Sequence, residues 1–137
     1  MTVPIQFLDL GESLHQDERG FVFFPFQGLA ETLPREALCN SLHLISIAPG
    51  QVRGQHLHPQ KTEWLYVFHG TGRLFWRLPG QERQERLLTN NRLLVIIAPG
   101  IPHALRNEGD GPLYLLAWRA GGEGGDEAVD TVFEPLV

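Results

Sequence analysis

Four residues of this chain have the types and spacing to hold a divalent cation. His56 and His58 are separated by one residue, Glu63 follows after four more, and His103 stands far along in the run Ala98-Pro99-Gly100-Ile101-Pro102-His103. In an extended strand, residues two apart share a face, so the imidazoles of His56 and His58 can aim the same way. The loop Pro59-Gln60-Lys61-Thr62 then lets Glu63 enter from the start of the next strand. His103 follows a Pro-Gly turn and is expected to open a strand that points inward with Leu105 and Asn107. Imidazole nitrogens with one carboxylate oxygen suit Zn²⁺, Fe²⁺, Mn²⁺ or Ni²⁺. A His-x-His pair alone is more often the polar face of a strand, and it is the addition of Glu63 and His103 that points to a metal.

The elements that must position these donors read as short strands broken by turns. An aromatic run at 21–26 follows the polar stretch 16–20, and apolar or aromatic runs at 42–47, 64–68, 74–78, 93–97 and 113–118 each end on a turn signal, such as Ala48-Pro49-Gly50, Gly70-Thr71-Gly72, Pro79-Gly80 or Ala98-Pro99-Gly100. Strands at intervals of roughly ten residues suggest a sandwich or closed barrel. The helix signal over 29–38 is weak, because Pro34 interrupts it. An Asn90-Asn91-Arg92 turn precedes the fifth run. The Gly-rich stretch 121–125 reads as a link to a tail, and 131–136 is expected either as an edge strand or as a segment crossing to a second subunit.

With 137 residues, 42% hydrophobic and 20% charged, the chain reads as one globular domain over 1–137 with its core at about 40–120. Its net charge of −5 argues against nucleic acid, which needs a basic surface. A few local arginines would still serve a phosphorylated small molecule. Cys39 is the only cysteine, which excludes an internal disulfide and points to the cytoplasm. Residues 1–20 carry Asp9, Glu12, Asp17 and Glu18 and lack the basic start and apolar core of a signal peptide. The longest apolar run, 93–99, is too short for a bilayer, which takes about 20 residues, so no membrane association is expected.

The stretch 50–70 resembles the first signature motif of the cupin superfamily, with Gly50, His56, His58, Glu63 and Gly70 at the family spacing. The stretch 98–107 resembles the second in part. Ala98 stands where the family usually has Pro, and Arg92 where it has Gly. The resemblance implies a small, all-β, single-domain cupin β-barrel (a double-stranded β-helix, or jelly roll). It implies one divalent metal held by His56, His58, Glu63 and His103, with zinc favoured and manganese, iron or nickel also suited.

A finer resemblance rests on Arg53-Gly54-Gln55-His56, Lys61-Thr62-Glu63-Trp64, Pro102-His103-Ala104-Leu105, Trp118, the tail 130–136 and the early Asp17-Glu18-Arg19-Gly20. These are similar to cupins that act on nucleotide-linked sugars: dTDP-dehydrorhamnose epimerases, dTDP-hexulose ketoisomerases, and above all the cupin half of bifunctional capsular-polysaccharide epimerase/reductases. The likeness implies an isomerase or epimerase of a nucleotide-linked keto sugar in surface-polysaccharide biosynthesis. In the bifunctional enzymes the cupin is fused to a reductase, and the resemblance here covers the cupin half alone.

That chemistry needs positive charge beside the enolate oxygen and a base within reach of the carbon acid. Arg53 is the candidate to hold a phosphate or the keto oxygen, and Lys61 lies in the loop between ligands. For the base, His69, Tyr114 and Tyr66 are available. His69 shares the strand parity of Glu63, whereas Tyr66 falls on the opposite face. The catalytic candidates are thus Arg53, His69 and Tyr114, and His43 is left without a role. Trp64, Phe68, Phe75 and Trp76 read as core or interface. Two other functions fit the same donors: an iron-dependent dioxygenase, and a non-catalytic cupin binding a sugar or small acid. A homodimer is expected through edge strands, with 21–26 as part of its interface.

Overall fold

Twelve strands, most of them carrying large apolar side chains at alternate positions, make up the fold among the described residues of the computed structural model, which are 3–11, 14–24, 35, 40–89, 92–121 and 130–137. The strands are β1 (Ile5–Asp9), β2 (Leu14–Asp17), β3 (Gly20–Phe23), β4 (His43–Ile47), β5 (Val52–Leu57) and β6 (Thr62–His69) in the first half. They continue as β7 (Gly72–Arg77), β8 (Arg83–Leu88), β9 (Leu93–Ile97), β10 (His103–Asn107), β11 (Leu113–Ala120) and β12 (Val132–Phe133). Apart from Arg35, the stretch 29–38 with its weak helix signal lies outside the described residues, as do Cys39, Asn90, Asn91 and 122–125.

Two five-stranded sheets carry the fold, in the orders β1-β9-β6-β11-β4 and β12-β5-β10-β7-β8, while β2 and β3 form a separate hairpin. All pairings among them are antiparallel. The all-β expectation holds, but the closed barrel does not. No ladder among the described residues joins one sheet to the other. The physical reason lies in what fills the space between them. Leu65, Val67 and Leu115 from the first sheet meet Leu74, Trp76 and Leu105 from the second in one buried cluster. Side chains of that size hold facing sheets about 10 Å apart, twice the roughly 4.8 Å that neighbouring strands need to hydrogen-bond.

A second buried cluster covers the opposite face of the first sheet. Trp64, Tyr66, Leu94 and Trp118 pack there with Phe23 of the hairpin against them. The Trp64 and Trp118 rings are stacked with centroids 6.3 Å apart. Phe75 is buried and Phe68 is partly buried against this second cluster, in keeping with their reading as core. The tail joins the second sheet of its own chain: Val132 and Phe133 pair with Leu57 and His56. It is therefore the edge strand of that sheet, the first of the two arrangements open to it.

Candidate metal centre

β5, the loop after it, β6 and β10 deliver the four donors to one point between the sheets. One ligand atom from each of His56, His58, Glu63 and His103 can be chosen such that all lie within 4.8 Å of one another. His58, Glu63 and His103 are 2%, 5% and 3% exposed, while His56 is half-buried. An ion about 2.1 Å from each donor needs donors roughly 3 to 4 Å apart, so adjustments on the scale of a side-chain rotation suffice. The donor set and its spacing fit a divalent transition-metal ion.

The local backbone is built for this convergence. β5 pairs His56 with His103 and Gly54 with Ala104, so Gln55 is an extra residue that forms a β-bulge. Gly54 has φ +95° and Gln55 φ +57°. A Cβ at Gly54 would lie 3.0 Å from both Ala104 Cα and the His103 carbonyl oxygen, so only glycine lets β5 approach β10 this closely.

Hydrogen bonds fix the imidazoles. His58 Nδ1 donates to the Asp130 carbonyl at 2.8 Å, and His103 Nδ1 donates to the Ile101 carbonyl at 2.9 Å. A carbonyl only accepts, so both Nδ1 atoms carry a proton and both Nε2 atoms face the centre. There His58 Nε2 lies 3.0 Å from Glu63 Oε2, and His103 Nε2 lies 2.9 Å from Glu63 Oε1. Burial alone would raise the Glu63 carboxyl, but the hydrogen bonds from His103 and His58 outweigh it and hold the group well below the usual carboxylate range. Burial pushes the His56 imidazole down to about 4, and the neighbouring His103 acts in the same direction. Burial also acts to lower His58, but its contact with Glu63 and the Asp130 carbonyl win, and its pKa is raised.

Three of the ligands, His56, Glu63 and His103, border a cavity of about 60 Å³. Its inner wall is apolar, from Ile45, Ile47, Leu65, Leu105 and Leu115. Its polar groups are Arg53, Arg119 and His43. Arg53 also donates from Nε to the Ser46 carbonyl at 2.9 Å, bridging β5 to β4 across the gap between the sheets. An open groove lined by Leu44, Ser46, Val52 and Arg53 continues the cavity outward.

The structure therefore gathers the four donors and Arg53, but it does not bring His69 or Tyr114 to them. Those two are paired across β6 and β11, with rings 5.5 Å apart, at the exposed end of the first sheet. His69 has the inward parity of Glu63, Leu65 and Val67, but β6 has run past the core by that point. Tyr114 lies on the outward parity of β11. Tyr66 is buried in the outer cluster, which pushes its phenol up to about 12. Two residues of the cavity were missed as site residues. Arg119 was legible, since Leu113, Leu115 and Ala117 are its inward-facing partners at period two. His43 opens β4 at the parity of Ile45 and Ile47.

The Cupin domain family model matches residues 43–119 of this chain, and the chain belongs to that family. No curated protein matches it. Among solved structures, the sugar 3,4-ketoisomerase QdtA from Thermoanaerobacterium thermosaccharolyticum, in complex with TDP, superposes with TM-score 0.69 at 16% identity, covering 98% of this chain and 90% of that one. The epimerase RmlC from Legionella pneumophila Philadelphia 1, in complex with dTDP-4-keto-L-rhamnose, gives TM-score 0.68 at 16% identity, over 95% of this chain and 72% of that one. The capsular polysaccharide assembling protein CapF from Staphylococcus aureus gives TM-score 0.60 at 26% identity, over 69% of this chain and 28% of that one. These likenesses place the fold among those of sugar-nucleotide cupins.

Proposed function

We propose that this cupin binds one divalent metal, zinc by preference, and isomerises or epimerises a nucleotide-linked keto sugar in the cytoplasm, in surface-polysaccharide biosynthesis. The observation that carries the reading is that three of the four clustered donors, His56, Glu63 and His103, border a cavity that also holds Arg53, Arg119 and His43. When bound, the metal supplies Lewis acidity that favours the enolate form of a ketone. Arg119 adds a second positive charge on the same wall. Arg53, where the cavity opens into the groove, suits the diphosphate, and the groove beyond takes the nucleotide.

His43 supplies the base. Its Nδ1 donates to the Ser41 carbonyl at 2.7 Å, so in the neutral ring Nε2 carries the lone pair. His43 takes the proton from the carbon beside the ketone; the electron pair of that C–H bond becomes the C=C bond of the enolate, and the carbonyl π pair moves to the oxygen. Return of a proton to the other face of the same carbon re-forms the ketone and gives an epimer; protonation of the former carbonyl carbon, with the O–H proton of the hydroxyl on the deprotonated carbon passing to the enolate oxygen, gives a ketoisomer. A nucleotide-linked keto hexose incubated in D₂O with zinc-loaded protein is expected to gain deuterium beside the ketone by NMR. A His56→Ala/His103→Ala variant is expected to show none. Absence of exchange with the loaded wild type would overturn the reading.

A second reading is favoured by the small volume and apolar inner wall of the cavity. A small, partly apolar acid would fit without leaving most of itself outside, as an iron dioxygenase or a binding cupin would require. Oxygen uptake with an iron-loaded sample, or affinity without turnover, distinguishes these. A homodimer is supported by the exposed Phe21, Val22 and Phe24, and by Leu44 at 72% exposure on edge strand β4. A monomer mass on a sizing column at micromolar concentration would refute it.

A further inference from the structure

The segment 130–137 does more than add two residues of edge strand. It lies along β5, the strand that carries His56 and leads into His58, and it is held there by one side chain in an unusual place. Gln55, the extra residue of the bulge, has a left-handed backbone that favours glycine. Its side-chain amide grips the end of the segment from both sides. Oε1 accepts from Leu136 N at 2.7 Å and from Val137 N at 3.1 Å, while Nε2 donates to the Val137 carbonyl at 2.7 Å. Its own carbonyl accepts from Glu134 N at 2.7 Å. Two arginines of the same sheet add anchors: Arg77 pairs with Glu134 at 2.5 Å, and Arg83 donates to the Leu136 carbonyl at 2.8 Å.

At the other end of the segment sits a ligand contact. The Asp130 carbonyl takes the Nδ1 proton of His58, and Asp130 Oδ1 accepts from Gln60 N at 3.1 Å, in the loop between His58 and Glu63. Asp130 is 8% exposed, one of the few buried polar residues among those described.

We propose that 130–137 is a strap that completes the metal centre: Gln55 clamps it to β5, and Asp130 is the positioning residue that orients His58. Among the described residues, the fixed acceptor for Nδ1 of that imidazole is the strap's Asp130 carbonyl, with a weaker contact to the Thr131 hydroxyl at 3.4 Å. With the strap seated, His58 is held with the proton on Nδ1 and Nε2 turned to the centre. With the strap released, both tautomers and other ring rotations open, and metal binding must reorder them. Because coupling is reciprocal, a bound ion also tightens the strap.

This rests on the metal reading above, and the test separates the two. Backbone hydrogen exchange is measured on the full wild-type chain, metal-free and with one equivalent of Zn²⁺. Zinc is expected to slow exchange at Glu134, Leu136 and Val137 markedly more than at amides of β1, the far edge strand of the other sheet, such as Phe7. Zinc affinity is then compared for wild type, Gln55→Gly and Glu134→Ala. Gln55→Gly keeps the bulge backbone and removes the clamp. It is expected to weaken zinc about 10- to 100-fold, as loss of an orienting contact does. In ¹H–¹⁵N spectra of the metal-free variant, the His58 Nδ1–H signal is expected to lose the exchange protection that its hydrogen bond to the Asp130 carbonyl gives in the wild type. Glu134→Ala, which removes a surface anchor only, is expected to fall between. Zinc that binds without slowing the strap amides, or binds Gln55→Gly as tightly as wild type, overturns the strap. Zinc that binds nothing overturns the strap together with the metal reading.

Discussion

Oε2 of Glu63 is shared: Arg119 Nε stands 3.1 Å from it, and His58 Nε2 stands 3.0 Å from the same atom. With His103 on Oε1, one buried carboxylate faces three nitrogen-bearing side chains. It is also the only carboxylate among the described residues lining the cavity. Glu63 is thus both a metal donor and the charge that lets these groups share a buried space. Glu63→Ala is expected to cost the metal-free protein about 3–5 kcal/mol, the usual loss when one partner of a buried pair is removed. Urea denaturation in the presence of a chelator measures it, and an unchanged midpoint would count against the arrangement.

Metal-free stability is expected to fall as the pH drops from about 6.5 to about 4. His56 titrates near 6.5 when unfolded and at about 4 when folded, so over this window the unfolded chain binds the extra proton. Glu63 acts in the same direction at lower pH. Its carboxyl is lowered, so its contribution is full above the ordinary 4.5 and is lost as the pH falls through the folded value. His58 opposes them, because its raised pKa contributes stability that is present at low pH and lost as the pH rises. The His56 shift is the large one, so the net slope follows it. His56→Gln is expected to flatten the slope between pH 6.5 and 4 in denaturation midpoints. A variant with the wild-type slope would show that His56 is not its source.

Gly54→Ala is expected to weaken both the fold and the metal site. The new Cβ meets β10 backbone at 3.0 Å, at a φ of +95°. The left-handed conformation alone costs roughly 1–2 kcal/mol for a residue with a Cβ. Pushing β5 from β10 also separates His56 from His103, its pairing partner. Thermal melting and zinc titration are expected to move together. A melting loss with zinc affinity intact would place the strain away from the ligands.

The base assignment separates three variants. His43→Gln is expected to abolish deuterium exchange into a keto sugar while leaving zinc binding intact, since general-base removal typically costs about 10²- to 10⁴-fold. His69→Gln and Tyr114→Phe are expected to leave exchange near wild type, because neither borders the cavity. Exchange lost in His69→Gln and kept in His43→Gln would move the chemistry to the far end of β6.

Strands with strong alternation were legible in the sequence. β9 was placed residue for residue, and β4, β6, β7 and β11 within two residues at each end. β8 was not, because Arg83-Gln84-Glu85-Arg86 is exposed on an edge and has no apolar face to show. β1 was missed as well. Closure was overcalled because alternation tells which side chains face inward and says nothing about whether sheet edges meet. The four donors were legible from spacing, since a strand pair sets parity. His69 had the right parity and the wrong depth, and depth depends on how far a strand outruns the core. Gln55 could not be read at all: the bulge arises from β5 pairing with β10, a contact between segments nearly fifty residues apart.

The most direct test of the metal centre is elemental analysis of purified protein beside the His56→Ala/His103→Ala variant, both offered zinc, manganese, nickel and iron. The expected result is about one ion per chain in the wild type, zinc foremost, and none in the variant. No ion in either sample would contradict the assignment of His56, His58, Glu63 and His103 as a metal site.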